Sequence, residues 1–266
     1  MDNPSVSIVI PTYNSEATLP ICLESIRRQS YKNIETIVVD GYSTDKTVEI
    51  AINFGAKVQQ VHGERSRAKN LGLRMARGKY VLFIDSDMEL MPTVVEECIR
   101  ICEVRSDIGG IVIPERSSGK TFWAKVRDFE RSFYEKTPIE SPRFFRKDLA
   151  LRVGGFDEDL IFYEEASLSY KITKLGYRVE RISSYIIHHE ENISLSELIR
   201  KRYYYAKTAK IYRKRYRDLA TKQLSIPYRL SIYLRSKSFY EKPSLSIGVI
   251  LMKSVEFMVY LLAHIS

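Results

Sequence analysis

The stretch Tyr80-Val81-Leu82-Phe83-Ile84-Asp85-Ser86-Asp87 decides how the chain reads. Its unbroken apolar run predicts a strand covered on both faces, as in a parallel sheet. The run ends in two carboxylates at positions i and i+2. In extended backbone such side chains project to the same side. Acids crowded at the end of a buried strand are costly unless a cation offsets them. Two oxygens on one side of a strand end suit a hard divalent cation that also holds phosphates. The competing reading is a solvated loop carrying two acids.

The same rhythm recurs on both sides of this stretch. Strands are expected at Val6–Pro11, Ile34–Asp40, Lys57–Val61, Tyr80–Asp85 and Ile108–Pro114. Helices are expected between them at Ser15–Gln29, Thr44–Phe54, Ser66–Arg77 and Pro92–Val104, with Ser43 or Thr44 capping the second and Gly55 and Gly78 stopping two of them. This βαβα alternation predicts an α/β fold with a mostly parallel, doubly wound sheet flanked by helices. After Pro114 the rhythm breaks. Ser117-Ser118-Gly119-Lys120 reads as a loop and Phe122–Lys136 as an amphipathic helix. A loop at Pro138–Pro142, a Gly154-Gly155 turn and a helix over Glu164–Leu175 follow, then strands at Tyr177–Ile182 and Tyr185–His189.

Ligands of doubly wound sheets bind beyond the carboxyl ends of the strands. The first strand ends in Pro11-Thr12-Tyr13-Asn14, an aromatic and polar closure suited to a base-binding crevice. The second ends in Asp40-Gly41-Tyr42-Ser43-Thr44-Asp45. A carboxylate there can accept from a nucleobase N–H or a ribose hydroxyl, or it can simply form an Asx turn.

These segments, together with Arg65, Ala68-Lys69-Asn70-Leu71-Gly72, Asp85-Ser86-Asp87, Gly154-Gly155-Phe156-Asp157-Glu158 and Glu164-Glu165, appear in one order and with consistent gaps. In combination the chain resembles the family 2 glycosyltransferases of the GT-A fold, over about residues 5–206. The resemblance implies a nucleotide-sugar donor, a GDP- or UDP-hexose. Asp40 would contact its base, Pro11 and Tyr13 would line the same pocket, and Arg65 would sit near ribose or diphosphate. Asp85 and Ser86 would also face the donor. Asp87, with Asp85, would bind Mn²⁺ or Mg²⁺. A histidine often completes such a metal shell, and either His188 or His189 stands in the right region. Counting back from Tyr205-Ala206 favours His189. The family's base follows an acid and is usually Asp; here the pair is Glu164-Glu165, which puts Glu165 in the base position, and Ser167 replaces the next acid. The bland reading of both glutamates is that they favour a helix N-terminus.

The 266 residues carry 44% hydrophobic and 28% charged side chains, enough for a sizeable core and outside the disordered class. The net charge is +9, and it is uneven: Glu197 to Lys242 holds 14 Lys and Arg against 3 Asp and Glu. That points to an anionic partner. Arg200, Lys201, Arg202, Tyr205 and Lys210 lie in an expected long helix over Leu195–Arg217, and an apolar segment follows at Leu245–Ile265. On a helical wheel Ser246, Lys253, Glu256, Tyr260 and His264 fall within a stripe about 80° wide. The stripe argues against a lone spanning helix and for an interfacial or packed one. Cations interleaved with tyrosine suit an anionic membrane surface better than nucleic acid. Cys22, Cys98 and Cys102 form no metal pattern, and with a strand pattern already at Ser5–Ile10 they fit a reducing cytosol.

The expectation is a GT-A catalytic domain over residues 1–195 and a basic, Tyr-rich helical membrane-association region over 196–266. The activity would be inverting, metal-dependent hexosyl transfer, with mannose or glucose, to a membrane-bound glycolipid or lipid-linked saccharide at the cytoplasmic face. A polyprenyl-phosphate sugar synthase and a non-catalytic nucleotide-sugar-binding membrane protein are the alternatives.

Overall fold

The computed structural model describes residues 5–190 and 194–265, with side chains to Tyr260. In chain order the elements begin β1 (Val6–Thr12), α1 (Leu19–Arg27), β2 (Ile34–Asp40), α2 (Thr47–Asn53), β3 (Lys57–Gln60), α3 (Arg65–Met75), β4 (Tyr80–Phe83), β5 (Met88–Leu90), α4 (Val94–Val104) and β6 (Ile108–Val112). They continue with β7 (Glu115–Ser118), α5 (Phe122–Ser132), β8 (Phe144–Arg146), α6 (Lys147–Arg152), α7 (Glu164–Lys174), β9 (Arg178–Arg181) and β10 (Ile186–His189). The last stretch is helical: α8 (Leu195–Ala206), α9 (Ala209–Arg215), α10 (Arg217–Gln223), α11 (Ile226–Arg235), α12 (Lys237–Glu241) and α13 (Pro243–Ile265).

The chain divides into two compact units. The first comprises Met1–Glu115, Ser141–Glu158 and Glu164–His188; the second comprises Arg116–Glu140, Asp159–Tyr163 and His189–Ser266. The second unit thus takes in α5 and a short loop as well as the tail.

In the first unit a seven-stranded sheet runs β3-β2-β1-β4-β8-β6-β9. All pairings are parallel except those of β8, which is antiparallel to β4 and β6. Side-chain alternation divides the strands between two cores. Ile8, Ile10, Val38 and Leu82 face one, while Val9, Ile37, Val39, Val81 and Phe83 face the other. α3 lies against β1 at Gly72, where an added Cβ would stand 2.3 Å from Val9 Cγ1. The three cysteines are buried and free.

The expected alternation holds, with corrections. β8 was not anticipated. Ser117 and Ser118 belong to a strand rather than a loop, since Ser118 O accepts from Glu190 N at 3.1 Å. α2 starts at Thr47, and neither Ser43 nor Thr44 caps it: the Ser43 hydroxyl donates to Asp40 and accepts from Asn14 N at 2.8 Å. The long helix expected over Leu195–Arg217 is broken near residues 207–208 and at Tyr216. Thr208 is buried, and its Oγ1 accepts from Ile161 N at 3.2 Å. Tyr216 turns inward with φ −120° and ψ 53°, its ring packing on Tyr212.

The second unit has its own core. Val126, Phe129, Phe133, Leu198, Tyr233, Phe239, Val249 and Met252 pack together. α13 crosses α5 at Gly248, where a Cβ would meet Val126 Cγ2 at 2.5 Å.

Candidate active site

The carboxyl ends of β1, β2 and β4 converge, as a doubly wound sheet dictates. Asp40 closes β2 and is fully buried. It accepts from Thr12 Oγ1 (3.0 Å), Ser43 Oγ (2.5 Å), Ser43 N (2.9 Å) and Gln60 Nε2 (3.1 Å). Burial alone would raise its pKa, but these donors hold it below the ordinary value. Four donors fill the acceptor capacity of a carboxylate, so Asp40 braces the ends of β1, β2 and β3. Beside it Pro11 is buried and Tyr13 is 66% exposed. Tyr42, with φ 63°, stacks on His62 at 3.9 Å between ring centroids. A positive φ at a non-glycine residue is a local cost that the surroundings enforce. Two exposed aromatic faces thus stand at adjacent strand ends. Tyr42 and His62 were not singled out from the sequence.

Past β4, Ser86 Oγ donates to Ser15 Oγ at 2.9 Å. Asp87 stands immediately before β5, and the β5–β10 register sets His188 opposite Met88. That register places His188 Nε2 3.0 Å from Asp87 Oδ2. His189 points elsewhere: its Nδ1 meets the Ser118 hydroxyl at 3.1 Å, within the second unit. Oδ1 of Asp85 and Oδ1 of Asp87 are both buried with no hydrogen-bond donor. Carboxylate oxygens without a hydrogen-bond donor, near an imidazole, fit Mn²⁺ or Mg²⁺. Among the described residues no group of three His, Cys, Asp or Glu side chains encloses a metal by itself. That suits an ion whose remaining ligands come from substrate and water.

A cationic layer supports these acids. Arg65 and Lys69 are one helical turn apart on α3, so both reach α7. Arg65 Nε donates to Glu164 Oε1 at 3.0 Å, and its NH1 lies 3.5 Å from Asp85 Oδ1. Lys69, 0% exposed, donates to Glu164 at 3.1 Å and also pairs with Glu165. Arg143 enters just before β8, where its carbonyl accepts from Phe83 N. Its Nε donates to Glu115 at 2.6 Å, and its NH1 lies 3.6 Å from Asp85 and 3.5 Å from Glu165. Burial pushes the Asp85 carboxyl up, but Arg65, Lys69, Arg143 and His188 outweigh it and hold Asp85 far below the carboxylate range. Burial likewise raises Glu165, while Lys69, Arg143 and Arg65 bring it down to about 2. Both acids are therefore ionised at neutral pH. In the sequence Lys69 stands out only as a member of the Ala68–Gly72 motif, and no local signal marks Arg143. Asn70, in the same motif, exchanges hydrogen bonds with Phe156 O (2.9 Å) and Phe156 N (2.8 Å), which fastens α3 to the Gly154–Glu158 segment.

The basic residues of α8 and α9 separate into two sets. Arg200, Lys201 and Lys210 are exposed. Arg202 pairs with Glu256 at 2.9 Å, and Tyr205 stacks on Phe162 at 4.7 Å, so both face into the second unit.

The profile of the family described as glycosyl transferase family 2 matches residues 7–158. A Bacillus subtilis protein named as a glycosyltransferase, EpsH, is 33% identical over 231 residues, covering 74% of this chain and 67% of its own. A PGL/p-HBAD biosynthesis glycosyltransferase of Mycobacterium bovis is 30% identical over 173 residues, 59% of this chain and 65% of its own. Among solved structures, the mannosyltransferase PcManGT of Pyrobaculum calidifontis, in complex with GDP-Man and Mn²⁺, superposes with TM-score 0.64 at 21% identity, covering 94% of this chain and 75% of that one. Residues 1–349 of S. aureus TarS, in complex with UDP, give TM-score 0.56 at 22% identity over 77% of this chain and 65% of that one. The structural likenesses establish the GT-A fold. The profile match and the EpsH likeness go further, and by them the chain belongs to glycosyl transferase family 2, whose members are transferases.

Proposed function

We propose that the chain moves a hexose, mannose or glucose, from a GDP- or UDP-sugar to a hydroxyl of a membrane-bound glycolipid or lipid-linked saccharide, with inversion. The observation that carries this reading is the pair of buried acceptor oxygens on Asp85 and Asp87 that no hydrogen-bond donor fills, with His188 on the second oxygen of Asp87. GDP-Man with Mn²⁺ in PcManGT, and UDP in TarS, support it by analogy of fold. Asp85, Asp87 and His188 would hold Mn²⁺ or Mg²⁺, which when bound offsets the charge developing on the leaving nucleoside diphosphate. Tyr13 and Tyr42 would sandwich or flank the base, with Asp40 fixing the pocket floor. Arg65 would face the diphosphate. Glu165 would take the proton of the acceptor hydroxyl as its oxygen attacks the anomeric carbon, while the sugar–phosphate bond breaks with its electron pair leaving on the diphosphate. Lys69 and Arg143 keep Glu165 ionised before the attack.

One observation favours a second reading. Glu165 is paired with Lys69 and lies 3.5 Å from Arg143, which hold it below its ordinary value and lower its affinity for a proton, whereas the best catalytic pKa lies near the working pH. A phosphate acceptor, as in a polyprenyl-phosphate sugar synthase, is already ionised and needs no base. Glu165→Gln separates the two. A loss of about 10²–10⁴-fold in turnover supports the hydroxyl acceptor; near-normal turnover on polyprenyl phosphate supports the other.

A further inference from the structure

α13 is amphipathic in an unusual sense: its polar side faces the protein. Ser246 is buried and donates to Lys242 O at 3.1 Å. Lys253 pairs with Glu130 on α5, and with Glu256 at 2.8 Å; Glu256 also takes Arg202 of α8. Glu130 is 1% exposed, and although burial pushes its carboxyl up, Lys253, Arg127, Arg202 and Arg229 hold it ionised. The charged stripe of the helix is consumed inside the second unit. The outward side is then apolar: Ile247, Ile250, Leu251, Phe257 and Met258 are 42–59% exposed at helical spacing. α11 of the same unit adds exposed Ile226, Leu230 and Leu234, again one turn apart. An exposed apolar stripe along a helix face marks a binding face.

Charge decides the occupant. Lys242, exposed, directly precedes the helix, and the Arg213 guanidinium lies 5.5 Å over the ring of Tyr260 at its other end. A stripe of aliphatic side chains framed by cations and a tyrosine matches acyl chains below phosphate-bearing headgroups. The window Pro243–Tyr260 has mean hydropathy 1.3, so by length and composition it is apolar enough to cross a bilayer. Crossing would carry the neighbouring α8, with exposed Arg200 and Lys201, into hydrocarbon, where such charges are costly.

We infer that α13 seats the second unit in the plane of a lipid bilayer through its outward aliphatic stripe, with its own charged stripe turned inward onto Glu130 and Arg202. Attachment is therefore apolar at its centre and only assisted by cations. The lipid-linked acceptor proposed above gives this seat its use, but the seat itself requires no turnover.

Flotation of the full chain with phosphatidylcholine vesicles, at 0.1 M and 1 M NaCl, tests it. The protein floats in both, because salt screens charge but not apolar contact. Ile250→Asp with Leu251→Asp lowers the floated fraction at least tenfold, while the melting midpoint and its shift by UDP or GDP stay as in wild type, since both side chains are exposed. Flotation only with phosphatidylglycerol vesicles, reversed by 1 M NaCl, overturns the inference, as does no flotation at all. So does a dimer in light scattering that the double variant dissociates. Protease cleavage at both ends of α13 from opposite sides of sealed vesicles would show crossing and overturn it too. Flotation without any sugar transfer would sink the acceptor reading and leave the seat standing.

Discussion

Replacing Lys69 by Met removes the cation shared by Glu164 and Glu165 while keeping much of its volume. Its Nζ is 3.1 Å from Glu164 and in contact with Glu165, with no exposure to solvent. Glu165 falls from an ordinary 4.5 to about 2 despite its burial, and Lys69 leads the cations responsible. Arg143 and Arg65 share in lowering Glu165, but Lys69 serves Glu164 as well. Removing one partner of a buried pair costs about 3–5 kcal/mol, and the cations that remain put the expected loss at the lower edge, ~3 kcal/mol. The melting midpoint should drop by ~6–12 °C at pH 7. The pH dependence has a definite sign. The depressed pKa of wild-type Glu165 gives stability that is complete above 4.5 and lost as pH falls through about 2. In the variant the folded pKa returns toward 4.5. The gap between the two proteins is then full at pH 7 and closes between pH 4.5 and 2. Calorimetry across that range reads it directly. A variant that melts within ~1 °C of wild type at pH 7, or a gap of equal size at pH 7 and pH 3, would refute the reasoning.

Other substitutions probe separate contacts. Gly72→Ala puts a methyl 2.3 Å from Val9 Cγ1 and should destabilise by ~1–3 kcal/mol, read in urea unfolding; an unchanged midpoint contradicts the close approach of α3 to β1. His188→Ala should weaken Mn²⁺ binding ~10–100-fold, the range for groups that hold or orient a metal site, whereas His189→Ala, on Ser118, should leave it unaltered. Equal effects from both would remove His188 from the proposed site.

Much of this was legible in the sequence, because strand periodicity and acids at strand ends are local signals. β2 runs over Ile34–Asp40 as the pattern predicts, and Asp85 and Asp87 follow a fully buried β4. What was missed arises from long-range pairing. β8 is only three residues long, too short to show a period, yet it lies between β4 and β6 and delivers Arg143 to Asp85 and Glu165. Spacing from Tyr205 favoured His189; the register of β10 on β5 instead brings His188 to Asp87. The helical wheel found the polar stripe of α13 but not its direction, which depends on Glu130 and Arg202 from other helices.

Titration calorimetry of UDP and GDP into the protein, with and without Mn²⁺, bears most directly on the role of the β4 strand end. Wild type should bind one of the two nucleotides at least ~10-fold tighter with Mn²⁺, about 1.4 kcal/mol, and Asp87→Ala should erase that gain while the fold melts normally. Equal affinity with and without the ion, or a gain that survives in Asp87→Ala, would contradict it.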